Sequence, residues 1–162
     1  MDVLNPNGIH CNPGFDVLPN KDTVDESIKK YEKAIKRCAL FGGIGEIVYA
    51  IAQRTKRRKK HTKMVVPKND EIMILHGCCL VFTPAFFSCF QGMCEDTFLY
   101  GEEIILSYLC HKKGVELKYI NSTGVLHNES KATKAEYHDV IRRHRYYYEN
   151  ILESTKVLKE LL

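Results

Sequence analysis

The longest apolar stretch of this chain, Cys38 to Ala52, is broken by Gly42, Gly43, Gly45 and Glu46, and it falls well short of the roughly 20 apolar residues that cross a bilayer. A chain built this way has to bury many short elements against one another. At 162 residues it fits one domain, residues 1–162, able to withdraw roughly 70% of its unfolded surface from water. Hydrophobic residues at 44% and charged residues at 27% exclude collagen-like, mucin-like and wholly disordered chains.

Charge is concentrated in one place. Residues 54–63 carry seven of the 24 Lys and Arg and no acid, which leaves 17 basic residues against 20 acidic ones, a net of −3, for the rest of the chain. Nucleic-acid-binding proteins spread their basic residues over a face and interleave aromatics with them, so the pattern argues against a nucleic-acid partner. The seven cysteines are odd in number and lack C-x-x-C spacing, and no apolar leader opens the chain. Buried free thiols in a reducing cytoplasm are the expectation.

Local patterns predict an α/β fold, a small mixed sheet flanked by helices, with a helical insert and a long C-terminal helix. The first twenty residues read as loop with at most a hairpin. Thr23 stands three residues before Glu26, and Val24, Ile28, Tyr31 and Ile35 recur at helical spacing, so a helix is predicted over about 24–38, opening a basic insert over 21–63. The sheet and site region spans 64–133. Within it Glu71 to Phe82 reads as a strand, a tight glycine at Gly77 and a continuing strand, and Thr83-Pro84 opens a short helix, Ala85 to Phe90. Glu102 and Glu103 at the start of the next helix, with His111, Lys112 and Lys113 before Gly114, complement the helix dipole at both ends. Val115, Leu117 and Tyr119 share one face of a strand, and a second strand, Gly124 to Leu126, runs into His127. A helix over about 134–161 occupies the last segment, 134–162.

Taken singly, none of these features specifies chemistry. Paired carboxylates at a helix start usually compensate the dipole, a histidine at a strand end is usually structural, and Tyr146, Tyr147 and Tyr148 usually pack. In combination they are specific. The run from His76-Gly77-Cys78-Cys79 through Thr83-Pro84-Ala85-Phe86-Phe87, then Thr97-Phe98-Leu99-Tyr100-Gly101-Glu102-Glu103, Lys113-Gly114-Val115 and Val125-Leu126-His127-Asn128-Glu129-Ser130, resembles the family 2 glycosyltransferases of the GT-A fold, in register from about Leu75 to Thr133. The weaker Leu4-Asn5-Pro6-Asn7-Gly8-Ile9 looks like a loop that precedes this region in many bacterial members.

The resemblance implies an enzyme in which an acceptor hydroxyl attacks a nucleotide-sugar with inversion, the acceptor being a glycan or a lipid-linked sugar of a bacterial surface polysaccharide. It places the catalytic base on Glu103, with Glu102 as its neighbour, and a divalent metal (Mn or Mg) on His127. It places Gly77, Cys78, Tyr100, Ser130 and Thr133 on the substrate side, and the protein in the cytoplasm, peripheral at the inner face of the plasma membrane. Glu103 stands where the family commonly has Asp. The family's donor-binding half and its Asp-x-Asp metal clamp have no counterpart here, since no carboxylate-x-carboxylate triplet occurs in the chain. The chain is therefore expected to be the acceptor-side part of such an enzyme, inactive until a separate chain supplies the donor-binding half. The alternative is a non-catalytic remnant that binds a glycan or a protein.

The apolar run that passes directly into Arg54 to Lys60 has two readings: a membrane-surface element for anionic lipid, or a helical hairpin with its basic loop in water. On the first, sedimentation with anionic vesicles at low salt should carry the protein down. Neutralising Arg54, Lys56, Arg57, Arg58, Lys59 and Lys60 should abolish this, each basic residue near the lipid contributing on the order of 1 kcal/mol. A parent chain that ignores anionic vesicles leaves the hairpin.

Overall fold

Ile105, Leu106, Ser107, Tyr108 and Cys110 are all buried, so the helix that carries them is covered on more than one face. In the computed structural model this helix is the centre of a mixed α/β fold. Residues 2–6, 8, 10–56, 71–121, 124–128 and 137–162 are described, with 41–56 as backbone only. In chain order the elements are β1 (Asp2–Leu4), β2 (Gly14–Val17), α1 (Lys21–Lys56), β3 (Glu71–Ile74), α2 (Pro84–Phe87), α3 (Glu102–Lys113), β4 (Gly124–Leu126) and α4 (Val140–Leu161).

Two apolar clusters meet on α3. On one side Ile105 and Tyr108 pack with Val24 of α1 and Leu158 of α4. On the other, Leu106 and Cys110 pack with Phe86 of α2, and Leu80, Phe82, Phe90, Val115 and Leu117 close around them. Each large apolar side chain buried in this way contributes roughly 1.5–3 kcal/mol, so α3 anchors both halves of the molecule. Lys112 Nζ also donates to Leu161 O at 2.8 Å, fastening the end of α3 to the end of α4.

Among the described residues the strands form two separate two-stranded sheets in place of the predicted single mixed sheet. Strand β1 pairs parallel with β4, Val3 opposite Val125, while β2 pairs antiparallel with β3, Phe15 opposite Met73. Other boundaries shift for identifiable reasons. Helix α1 starts at Lys21 because Asn20 forms the reciprocal cap: its Oδ1 accepts from Thr23 N–H at 3.0 Å while its own N–H donates to Thr23 Oγ1 at 3.1 Å. It also continues without interruption through Gly42, Gly43 and Gly45 to Lys56. The continuing strand expected after Gly77 is a turn followed by irregular backbone whose Leu80 and Phe82 feed the second cluster. The second helix is shorter than predicted and ends at Phe87. Residues 115–120 keep the alternating burial of a strand, yet no ladder partner lies beside them among the described residues. Helix α4 begins at Val140, where Asp139 Oδ1 accepts from the Ile141 N–H at 2.7 Å and the Arg142 N–H at 3.2 Å.

The chain enters α3 through strained backbone. Tyr100 N–H donates to Phe98 O at 3.0 Å around Leu99, whose φ is 69°, a three-residue turn of the unfavourable hand. Gly101 follows at φ 89°, where an added Cβ would sit 2.9 Å from Ser154 Cβ on α4. Gly114, at φ 66° beyond the other end of α3, has nothing within 4 Å of such an atom. The pair separates backbone strain from packing. Gly114→Ala should cost about 1–2 kcal/mol for the left-handed conformation alone. Gly101→Ala adds overpacking of about 1–3 kcal/mol, and denaturant unfolding should show it clearly the worse of the two. Equal losses would mean that α3 and α4 are not in tight contact at this point.

Candidate functional site

Glu103 lies in the first turn of α3, on the wall of a cavity of about 860 Å³ bounded by α1, α4, the start of α3 and the antiparallel β2–β3 pair. Its Oε1 accepts the Gly77 N–H at 3.2 Å. A Cβ at position 77 would stand 2.8 Å from that same oxygen, so Glu103 is the group packed against this glycine. The turn after β3 and the start of α3 are thereby joined through one carboxylate.

His76 is the residue that links the two sheets. Its N–H donates to Asn12 Oδ1 at 3.0 Å, its Nδ1 accepts the Cys78 N–H at 3.2 Å, and its ring meets the ring of His127 edge-on with centroids 4.9 Å apart. His127 follows β4 and is held by its N–H, which donates to Leu4 O at 2.8 Å. Gly77, His76 and His127 thus extend from Glu103 in a continuous row. His76 and Glu103 both line the cavity, whereas His127 stands behind His76 and outside the lining.

The two carboxylates have different surroundings. Glu102 Oε2 is buried with no hydrogen-bond partner, and burial pushes its pKa above the ordinary glutamate value, with the neighbouring Glu103 adding to the rise. Only Glu103 opens onto the cavity. Of the expected substrate residues, Tyr100 lines the cavity, its ring set edge-on to Tyr147 at 4.8 Å. Cys78 is exposed on the turn, and burial of its thiol together with the adjacent Cys79 raises its pKa. Ser130 and Thr133 lie outside the described residues, as does the basic run beyond Lys56. The expectation of buried thiols holds for Cys110 alone: none of the seven cysteines is in a disulfide, Cys78 and Cys89 are exposed, and Cys11, Cys38, Cys79 and Cys94 are half-buried, Cys38 on α1 and the others on loops that lie over the core.

Among the described residues no group of three or more His, Cys, Asp or Glu converges on a common point, and residues 129–136, which follow His127 and Asn128, lie outside the described residues.

The sequence reading missed Asn12, His76, Tyr31 and Tyr147. His76 was visible beside Gly77. Asn12, 4% exposed, reaches His76 from 64 residues away, and nothing local announces that. No family model, curated protein or solved structure matches the chain.

The buried Glu102 makes a pH prediction whose sign follows from its raised pKa. In acid below the ordinary glutamate range it is protonated in both folded and unfolded chains. As pH rises from that range to the raised folded value, the unfolded chain loses its proton first and stability falls, levelling off above. Glu102→Gln removes this loss. The variant should match the parent near about pH 3 and exceed it in stability at neutral pH, by a margin that solvent screening keeps small. Parallel stability profiles for the two proteins would contradict the assignment.

Proposed function

We propose that the chain is the acceptor-side part of an inverting glycosyltransferase, with Glu103 as the general base. The observation that carries this reading is the Glu103 carboxylate held by the Gly77 N–H on the wall of a large cavity, within the same run of residues that resembles the family 2 enzymes. A base must reach the proton that it removes. Glu103 faces the space where an acceptor would lie, and Glu102 does not. In the displacement the acceptor hydroxyl gives its proton to Glu103, its oxygen forms the new bond to the anomeric carbon, and the bond from that carbon to the departing diphosphate breaks. The extra methylene of Glu relative to Asp is accommodated by the Gly77 contact, which draws the carboxylate against the turn.

The nucleotide-sugar would be held by a GT-A donor-binding half supplied on a separate chain. A non-catalytic glycan- or protein-binding remnant is the competing reading, favoured by the missing Asp-x-Asp clamp.

Transfer assays with a panel of nucleotide sugars and Mn²⁺ should show no turnover by the 162-residue chain alone and turnover once a GT-A donor-binding half is added. In the complemented enzyme Glu103→Ala should lower kcat at least ~100-fold, the usual scale for losing a general base. Gly77→Ala displaces only the end of a flexible side chain, so it should lower kcat as well while costing less than about 1 kcal/mol of stability. Robust transfer by the chain alone would remove the need for a partner. Transfer that survives Glu103→Ala would remove the base.

A further inference from the structure

The cavity extends well beyond Glu103. Its volume of about 860 Å³ lies near the upper end of the ~300–1,000 Å³ range of small-molecule sites, more than one sugar ring requires. One wall is a single face of α1, where Thr23, Ser27, Lys30 and Tyr31 follow one another at helical spacing. Helix α4 packs beside α1 and contributes Tyr147, Ile151 and Thr155 to the lining. Aromatic rings connect the two helices to the start of α3: Tyr100, Tyr147 and Tyr31 line the cavity, Tyr100 meeting Tyr147 at 4.8 Å, while Tyr148, outside the lining, meets Tyr147 at 5.3 Å and Tyr31 at 6.2 Å. The series begins three residues before Glu103 and ends on α1. Half-buried tyrosines offer apolar ring faces with a polar edge, which suits a surface that is apolar on its faces and hydroxylated at its rim.

Charge narrows the occupant. Among the described residues the lining holds three carboxylates, Asp16, Glu26 and Glu103, against one lysine, Lys30, whose Nζ stands 5.8 Å from the Tyr31 ring centroid. Carboxylates accept hydrogen bonds from sugar hydroxyls or from an ammonium, and they repel anions. A nucleotide diphosphate is therefore disfavoured in this groove, as is a uronic-acid or phosphorylated glycan.

We propose that the groove lined by α1, α4 and the start of α3 is a binding site for a neutral or amino-substituted oligosaccharide, running from Glu103 to the Tyr31 face of α1, and that this α1 face sets acceptor specificity. The proposal rests on the glycosyltransferase reading only for the role of Glu103. Its binding chemistry stands on the groove.

The test uses the full chain labelled with ¹⁵N and titrated with three trisaccharide probes at low salt: an N-acetylglucosamine trimer, a glucosamine trimer and a galacturonic acid trimer. The first two should shift the amides of residues 23–31 and 147–155, and the third should leave them unmoved. Tyr31→Ala should weaken the neutral trimer roughly two- to tenfold, the worth of one aromatic contact, and Tyr31→Phe should retain it. The double variant Asp16→Asn with Glu26→Gln, both at exposed positions, should narrow the gap between the galacturonate and neutral trimers, and it keeps the test open where Tyr31→Ala fails to fold. Unmoved amides with every trimer in a folded sample, or galacturonate binding as well as the neutral trimer, would overturn the proposal. Binding here needs no donor, metal or turnover. Saccharide binding without transfer in the complemented assay leaves the groove and removes the transferase, and transfer with the α1 amides unmoved does the reverse.

Discussion

The contact on which the rest of the structure depends is that of α3 with α4 at Gly101 and Ser154. Gly101 brings the start of α3 so close to α4 that a single Cβ would collide with Ser154, and from there α3 runs with Ile105 and Cys110 at 0% and 1% exposure between two apolar clusters. A helix buried on several faces cannot slide or rotate without opening voids in both clusters at once. Its first turn is therefore a rigid platform, and the direction of Glu103 is decided by packing that lies well away from the carboxylate itself.

The turn ahead of α3 carries the local strain of the site. Leu99 at φ 69° is held in a conformation that costs a non-glycine residue on the order of 1–2 kcal/mol. It persists because Tyr100 on one side and α3 on the other over-determine the path of the chain. The same turn sets Tyr100 against Tyr147, so one strained segment positions both the aromatic floor of the cavity and the helix start bearing Glu103.

On the opposite side the site is assembled from short, weak elements. A parallel pair of three-residue strands would not stand alone, and β1 and β4 are supported by Val3, at 0% exposure, and by the backbone bond from His127 to Leu4. His76 joins this pair to the antiparallel β2–β3 pair through Asn12 and His127. The histidines thus serve first as connectors between two small sheets.

Sequence alone determined the features that close within a few residues. Helix α3 from Glu102 to Lys113 with its Gly114 cap was legible because dipole-complementing charges and a left-handed glycine are local signals, and strand β4 running into His127 was legible from its short apolar run between turn residues. The need for glycine at position 77 could also be read, though not what would approach it. Tertiary structure decided everything that depends on partners distant in sequence. Among the described residues it split the sheet in two and left residues 115–120 alternating in burial without a ladder; it also moved the start of α1 back to Lys21, and turned the first part of the basic insert into the wall of a cavity. The physical reason is the same in each case. Side-chain period and capping chemistry report which face of an element is apolar, whereas the identity of the surface that covers that face is set only when the whole chain has packed.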